Sequence, residues 1–224
     1  MSDIRHAIEA VRERIHRACE TAGRDSAEVT LVAVTKTVDA ARVIEAIEAG
    51  VGDIGENYVQ EAKGKIETVG PGRVRWHMIG HVQSNKVKYI PSLFDCVHTV
   101  DSTAILEGLE KRAKEMDVLF EVNLAGEATK SGTDVDGLRR ILEKVPSLVH
   151  LKPVGLMTMP PYVEDPEDVR DVFRRLRTTL QMMNAEFGLA MKELSMGMSS
   201  DFEVAVEEGA TMVRIGTALF GERR

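Results

Sequence analysis

The chain has 224 residues, of which 43% are hydrophobic, 29% are charged and 4% are aromatic, as in an ordinary soluble α/β protein. Its net charge is −7 and its 29 basic residues are scattered, which argues against nucleic acid or an anionic membrane as a partner. The cysteines Cys19 and Cys96 form no CxxC pair, so we expect no disulfide framework. We expect residues 1–224 to form one domain, since no linker divides them.

The first segment, residues 2–20, has the pattern of a charged amphipathic helix. It lacks the apolar stretch of a secretory signal peptide, and no later apolar run approaches membrane-spanning length. From these patterns we expect a cytoplasmic protein without a membrane partner.

After this helix, strand-like and helix-like segments alternate, which indicates βα units on a parallel sheet. The predicted strands are residues 29–35, 53–55, 74–79, 96–100, 119–123, 151–157, 193–195 and 211–215. The predicted helices are residues 40–49, 59–68, 102–115, 134–145, 167–187 and 201–208, with a fainter pattern at 83–90. Eight repeats with the last helix missing or reduced predict a closed (β/α)8 TIM barrel with an extra N-terminal helix. An open doubly wound sheet is the alternative.

Lys36 follows the first predicted strand, an apolar run without alternation that is typical of a central parallel strand. The carboxyl ends of such strands are where barrels and open sheets place their sites. A lysine desolvated there can attack an aldehyde and hold it as a Schiff base. The alternative is a surface lysine at the frayed end of a strand.

A phosphate site is indicated by two turns near the C-terminus. The seventh strand runs into a Gly/Ser loop in which Ser200 and Glu203 have the spacing of a capping box that opens a helix. Free backbone N–H groups at a helix start bind anions, although an ordinary capped helix is the alternative. The small-residue turn at Gly216 and Thr217 follows the eighth strand, and barrels commonly hold phosphate in the loops after strands seven and eight.

Closure of the barrel would place the eighth strand beside the first. Lys36, the loop at Ser199 and Ser200, and the turn at Gly216 and Thr217 would then share one rim. An amine beside a phosphate cradle calls for a ligand that is both an aldehyde and a phosphate monoester. Pyridoxal 5′-phosphate (PLP) meets both demands.

Two other motifs are weaker indications of function. Residues 50–55 match GxGxxG by letter, but the motif follows a predicted helix and contains a strand, so dinucleotide binding is disfavoured. His77 and His81 stand four residues apart, yet on a strand end this spacing does not converge on a metal, and Met78 stands where a zincin needs Glu. We expect His77 or His81 to line a pocket instead.

Seven motifs stand in order along nearly the whole chain: VTK (34–36), GENYVQE (55–61), WHMIGHVQSNK (76–86), KSG (130–132), GLM (155–157), SMGMS (195–199) and VRIGTALFG (213–221). Together they resemble the pyridoxal phosphate homeostasis family (YggS/PROSC). That family is similar in fold to the N-terminal barrel of alanine racemase, the fold-type III arrangement of PLP-binding proteins. This chain departs from the family at Thr35, where Ser is more usual, and at Met78, where Phe is usual.

The resemblance implies a role for each matching residue. It implies that Lys36 forms the Schiff base with PLP, that Asn57 lines the cofactor and that Arg214 faces the pyridine nitrogen. The residues that it implies for the phosphate are Ser199, Ser200, Gly216 and Thr217.

An arginine at the pyridine nitrogen has a chemical consequence. Because a guanidinium does not give up its proton, Arg214 would donate to an unprotonated ring nitrogen, and the ring would be a poor electron sink. Transamination is then disfavoured, whereas racemisation by two bases remains chemically possible. Racemases of this fold take the second base from a separate β-domain, and we expect that domain to be missing because the chain stops at Arg224.

Three functions compete. The first is a monomeric, non-enzymatic protein that stores, buffers or delivers PLP to apo-enzymes. The second is a small PLP-dependent racemase or lyase that uses Lys36 with His77, His81 or Tyr58 as an internal base. The third is a barrel enzyme that binds a sugar phosphate through a Schiff base on Lys36.

Overall fold

The computed structural model describes residues 3–126 and 131–221. Eight parallel strands close into a barrel in chain order, so that the last strand pairs with the first. The strands are β1 Thr30–Val34, β2 Asp53–Glu56, β3 Arg75–Met78, β4 Cys96–Val100, β5 Met116–Glu121, β6 Leu151–Met157, β7 Glu193–Ser195 and β8 Met212–Ile215. The predicted (β/α)8 barrel is confirmed, and the open sheet is wrong.

Helices surround the barrel. The α-helices are α1 Asp3–Ala22, α2 Ala40–Glu48, α3 Val59–Val69, α4 Thr103–Glu110, α5 Val135–Leu142, α6 Arg170–Phe187, α7 Phe202–Glu207 and α8 Thr217–Phe220. The extra N-terminal helix is confirmed as α1, which packs against α2, α7 and α8. Within the described residues, no helix is both long and apolar enough to span a membrane.

The strands present alternate residues to two separate cores. Side chains such as Ala33 and Ile54 belong to the large core between the strands and the surrounding helices. Inward-facing side chains form a smaller apolar layer inside the barrel: Val32, Cys96, Leu119, Met157 and Met212. This alternation follows from the period of two in a strand, and it places every second residue of each strand inside the barrel.

Several predicted bounds differ from those of the structure, among them the following three. β5 begins at Met116 rather than at residue 119, and α4 ends at Glu110 rather than at residue 115. The charge of Asp117 hides the strand start in the sequence, but this side chain forms an ion pair with Arg75 across the barrel strands. The predicted helix at 83–90 is instead a short 3-10 helix at Val87–Ser92, which contains Pro91.

Candidate functional site

Lys36 lies in a tight turn directly after β1, at the carboxyl end of the barrel, and is half-buried. The next residue, Thr37, has a φ of 65°, in the left-handed region that a β-branched residue rarely adopts. Its backbone N–H donates to Glu61 Oε1 at 2.6 Å. Such strain persists only where the surroundings fix it, and it is common at functional turns.

A buried ion network supports this turn from below. Lys65 is nearly enclosed, and its Nζ donates to the Thr35 carbonyl oxygen, to Glu56 Oε1 at 2.7 Å and to Glu61 Oε1 at 2.6 Å. The Thr35 hydroxyl also donates to Glu56 Oε1. Burial raises the pKa of Glu56, and the hydrogen bonds from Lys65 and Thr35 act against that rise. The network therefore fixes the backbone on both sides of Lys36, and sequence reasoning missed it.

Pairing of β1 with β8 brings the last turn to the same rim. Ala33 lies opposite Ile215 in the register. One residue further, a Cβ added to Gly216 would lie 3.4 Å from Val34 Cβ, which is ordinary contact. Gly216 therefore lies against the end of β1, two residues from Lys36.

The loop after β7 meets this turn. Ser199 Oγ accepts a hydrogen bond from the Ala218 backbone N–H at 3.2 Å. Ser200 and Thr217 are both exposed on the two adjoining segments. The structure thus brings together the four residues that the resemblance implies for phosphate, at the ends of neighbouring strands.

The predicted capping box at Ser200 and Glu203 is wrong. α7 begins one residue later, with Asp201 as its N-cap residue. The buried Asp201 carboxylate accepts from the Met198 N–H at 2.6 Å, and Glu203 instead pairs with Arg14 of α1 at 2.6 Å. The Asp201 carboxylate, one position beyond Ser200, accepts a backbone N–H from its own loop, and Asp201 rather than Ser200 is the N-cap residue.

Asn57 follows β2, the strand that pairs with β1 on the side away from β8. Its Oδ1 is buried and has no hydrogen-bond partner within residues 3–126 and 131–221. Gly80 packs so closely on it that an added Cβ would lie 2.4 Å from the Asn57 carbonyl oxygen. Both border a cavity of about 310 Å³, which Tyr58, Met78, His81 and Lys86 also line.

Arg214 points into the barrel from β8 and is only 4% exposed. Its Nη1 donates to Ser195 Oγ at 2.7 Å, and its Nη2 donates to the Thr158 carbonyl oxygen at 3.0 Å. Burial lowers the pKa of Arg214 to about 10, so the guanidinium stays protonated at neutral pH.

Glu121 lies at the carboxyl end of β5 and is buried. Its Oε1 accepts from the Ser131 hydroxyl at 2.6 Å, whereas no described residue hydrogen-bonds its buried Oε2. Burial raises the pKa of Glu121, and Ser131 and Arg214 act in the opposite direction. Ser131 belongs to the motif at 130–132, whose Lys130 lies outside the described residues. Sequence reasoning missed Glu121.

The two histidines of the third motif, His77 and His81, do not converge on one site, as predicted. His81 lines the rim cavity and lies 3.5 Å from Asp101. The expectation of a pocket position is thus confirmed for His81, whereas His77 is fully buried inside the barrel. Its ring nitrogen lies 2.8 Å from His98, and Cys96 lies close to both rings.

The closed barrel and its rim define the chain as a barrel of the alanine racemase type. Residues 7–224 match the family described as alanine racemase, N-terminal domain. An alanine racemase from Corynebacterium glutamicum shares the fold, with a TM-score of 0.70 and 19% identity. That match covers 96% of this chain and 61% of the racemase.

Two relatives define the particular family. The pyridoxal phosphate homeostasis protein of Aquifex aeolicus (strain VF5) is 45% identical, and the match covers 97% of both chains. The structure of PipY from Synechococcus elongatus PCC7942 with PLP bound has a TM-score of 0.87 and 34% identity. That match covers 98% of this chain and all of PipY. The chain therefore belongs to the pyridoxal phosphate homeostasis family, as its seven motifs predict.

Proposed function

We propose that this chain binds PLP through a Schiff base on Lys36 and serves in PLP homeostasis by storing, buffering or delivering the cofactor without turnover. One observation carries the proposal. Arg214 presents a buried guanidinium inside the barrel, two residues before the Gly216 turn that packs against the end of β1 near Lys36. PLP in the related PipY structure and the names of the curated relatives support it.

The residues of the rim fit the parts of this cofactor. When bound, PLP supplies an electrophilic aldehyde and an electron-withdrawing ring. The amine of the half-buried Lys36 suits the aldehyde, and the buried Oδ1 of Asn57, which no described residue hydrogen-bonds, suits a donor on the cofactor or its protonated linkage. The groups proposed for phosphate are Ser199, Ser200, Gly216 and Thr217, which lie on two adjoining turns.

The charge state of Arg214 favours retention over turnover. Because its pKa of about 10 keeps it protonated, the guanidinium would donate to the ring nitrogen and leave that nitrogen unprotonated. A ring in that state stabilises a carbanion poorly. His77 also has both ring nitrogens hydrogen-bonded inside the barrel, so of the three bases named for a racemase or lyase, His81 and Tyr58 remain.

The labelling test compares two lysines near the rim. In wild-type protein loaded with PLP, borohydride reduction is expected to place the label on Lys36, as located by peptide mass spectrometry. Lys36→Ala should lose this label but retain some cofactor non-covalently, because the phosphate contacts remain. The matched control, Lys86→Ala, removes an amine that lines the neighbouring cavity and should keep the label. Unchanged labelling of Lys36→Ala would overturn the proposed anchor.

A second experiment separates carrier from enzyme. The loaded protein is incubated with amino acids in deuterated water, and deuterium at the α-carbon is measured against free PLP. We expect no exchange above that control. Exchange that exceeds it and falls in Tyr58→Phe or His81→Gln would overturn the non-catalytic role and favour the racemase or lyase.

The proposal treats residues 1–224 as one cofactor-binding domain that acts as a cytoplasmic monomer and supplies apo-enzymes. Light scattering of the loaded protein tests the monomer. Transfer is tested by mixing loaded protein with an apo-enzyme and a PLP scavenger. Reactivation that survives the scavenger supports direct delivery, and reactivation that the scavenger abolishes contradicts it.

A further inference from the structure

A continuous chain of hydrogen bonds crosses the barrel interior. Asp53 Oδ1 lies 2.9 Å from His77 Nε2, and His77 Nδ1 lies 2.8 Å from His98 Nε2. His98 Nδ1 lies 2.8 Å from Ser195 Oγ, which accepts from Arg214 Nη1 at 2.7 Å. The chain thus joins β2, β3, β4, β7 and β8.

The two ends of this chain lie in different surroundings. The Asp53 side chain is 25% exposed and borders a cavity of about 430 Å³, which the starts of β1 and β2 also line. His77, His98 and Ser195 are fully buried. The chain therefore runs from an open cavity at the amino end of the barrel to Arg214, below the opposite rim.

The carboxylate end fixes the direction of the hydrogen bonds between the rings. The guanidinium of Arg214 can only donate, and the carboxylate of Asp53 can only accept. Burial, with the nearby charge of Arg214, keeps the pKa of His98 well below its usual range, so this ring is neutral. When the His77 ring is neutral as well, one arrangement satisfies all members: Ser195 donates to His98 Nδ1, His98 Nε2–H donates to His77 Nδ1, and His77 Nε2–H donates to Asp53.

A metal ion held by His77, Cys96 and His98 fits less well. Two nitrogens that ligate zinc at about 2.0–2.1 Å in a tetrahedral site lie roughly 3.3 Å apart. The facing nitrogens of His77 and His98 lie 2.8 Å apart, a hydrogen-bond distance. Burial also raises the pKa of Cys96, which favours the thiol over the thiolate that a metal needs.

We propose that this series of hydrogen bonds positions the Arg214 guanidinium for the pyridine nitrogen of the cofactor. Asp53, at the far end of the barrel, sets the direction of the hydrogen bonds in the series. The inference rests on the proposed PLP site. Asp53 is a positioning residue, because it acts through the two histidines and Ser195. If its carboxylate is lost, the rings are free to reverse. Ser195 Oγ must then accept from both His98 and Arg214, while its own O–H loses its acceptor, which disturbs the contact that holds Arg214.

The first test uses the cofactor-free protein and the variant Asp53→Asn, which keeps the shape and removes the charge. The matched control is Glu193→Gln, also at the start of a strand. The Glu193 carboxylate accepts from the Thr211 hydroxyl, which is not part of the hydrogen-bond series. Ring ¹⁵N NMR should show Nε2–H on both His77 and His98 in wild type and control. We expect Nδ1–H, or a mixture, in Asp53→Asn. Nδ1–H on His98 in wild type, or stoichiometric metal in the purified protein, would overturn the proposed direction of the hydrogen bonds.

The second test reads the cofactor end. With ¹⁵N-labelled PLP, the pyridine nitrogen resonance should move in Asp53→Asn and stay in place in Glu193→Gln, while both variants keep the borohydride label on Lys36. Reversed histidine tautomers with an unmoved pyridine resonance would overturn the positioning role and leave the proposed function intact. Loss of the label from wild-type Lys36 itself would instead be a failure of the proposed function.

Discussion

The carboxyl rim of the barrel and its interior use polar groups in opposite ways. Inside the barrel, Asp53, His77, His98 and Ser195 hydrogen-bond one another in an unbroken series. At the rim, buried oxygens of Asn57 and Glu121 have no partner in the part of the chain that the structure describes. A buried polar atom without a partner costs about 1–3 kcal/mol, so a fold tolerates it mainly where a ligand or water completes the bonding.

This difference separates two tasks. The interior provides a frame whose polar groups are paired, whereas the rim presents Lys36 together with buried oxygens that no described residue hydrogen-bonds. Arg214 belongs to both regions. Its guanidinium donates to Ser195 at the end of the interior series, and its positive charge acts on Glu121 at the rim by lowering the pKa of that carboxyl. Changes in the interior should therefore affect stability first, and changes at the rim should affect PLP binding first.

The largest expected effect is on the apolar layer inside the barrel. Leu119→Ala opens a cavity in a fully enclosed position and should lower the free energy of unfolding by about 2–5 kcal/mol. Affinity for PLP should stay within about twofold, since the rim groups are not touched. Urea unfolding and a cofactor titration measure the two quantities. Tyr162→Ala, at a position 86% exposed, is the control and should change neither. A strong loss of affinity with little loss of stability would break the comparison.

A smaller effect on stability is expected from Gly80→Ala at the rim. The new Cβ would lie 2.4 Å from the Asn57 carbonyl oxygen, so the segment must shift at a cost of about 1–3 kcal/mol. PLP binding should weaken more than stability, because Asn57 moves with its backbone. Gly64→Ala in α3 meets no atom within 4 Å and should be neutral or stabilise by up to about 1 kcal/mol. Unweakened binding in Gly80→Ala would argue against Asn57 as a cofactor residue.

The smallest effects compare Glu121, whose Oε2 no described residue hydrogen-bonds, with Glu110, both of whose oxygens accept backbone N–H groups. Burial raises the pKa of Glu121, so the native state binds its proton more tightly, and its contribution to stability falls as the pH rises above about 4.3. Glu121→Gln should remove that decline. Burial acts similarly on Glu110, but N–H donors of residues 149–151 outweigh it and lower the pKa, so its contribution is lost as the pH falls.

Glu110→Gln should therefore reduce the loss of stability as the pH falls, while Glu121→Gln should reduce the loss of stability as the pH rises. Urea unfolding of both variants between about pH 2 and about pH 8 covers both windows and checks the opposite signs. The same sign in both variants would contradict the contrast between a carboxylate with an unpartnered oxygen and one whose acceptors are filled.

The sequence predicted the barrel because its strands are compact runs bounded by turn residues. The bounds of β4, β6 and β7 agree with the prediction. β5 was misplaced because Asp117 faces the barrel interior, where a charge is tolerated through its pairing with Arg75. A pattern based on apolar character cannot detect such a residue.

The rim was easier to predict than the interior. Lys36, Gly216 and Ser199 follow strand ends, so closure alone brings them together. The interior series depends on register: Cys96 pairs with His77, and His98 stands two residues further on the same face of β4. Without the register, His77 appeared only beside His81, its neighbour in sequence, and its true partner was missed.

The pairing of β1 with β8 also has a consequence for synthesis of the protein. The proposed amine and phosphate groups lie near opposite ends of the chain, so a ribosome produces Lys36 long before it produces Gly216 and Thr217. α1 likewise receives its packing partners α7 and α8 only when translation is nearly finished. A nascent or truncated chain that lacks β8 carries the lysine without its cradle. In the proposed site, the lysine and the phosphate groups therefore occur together only in polypeptides whose translation has passed the last strand.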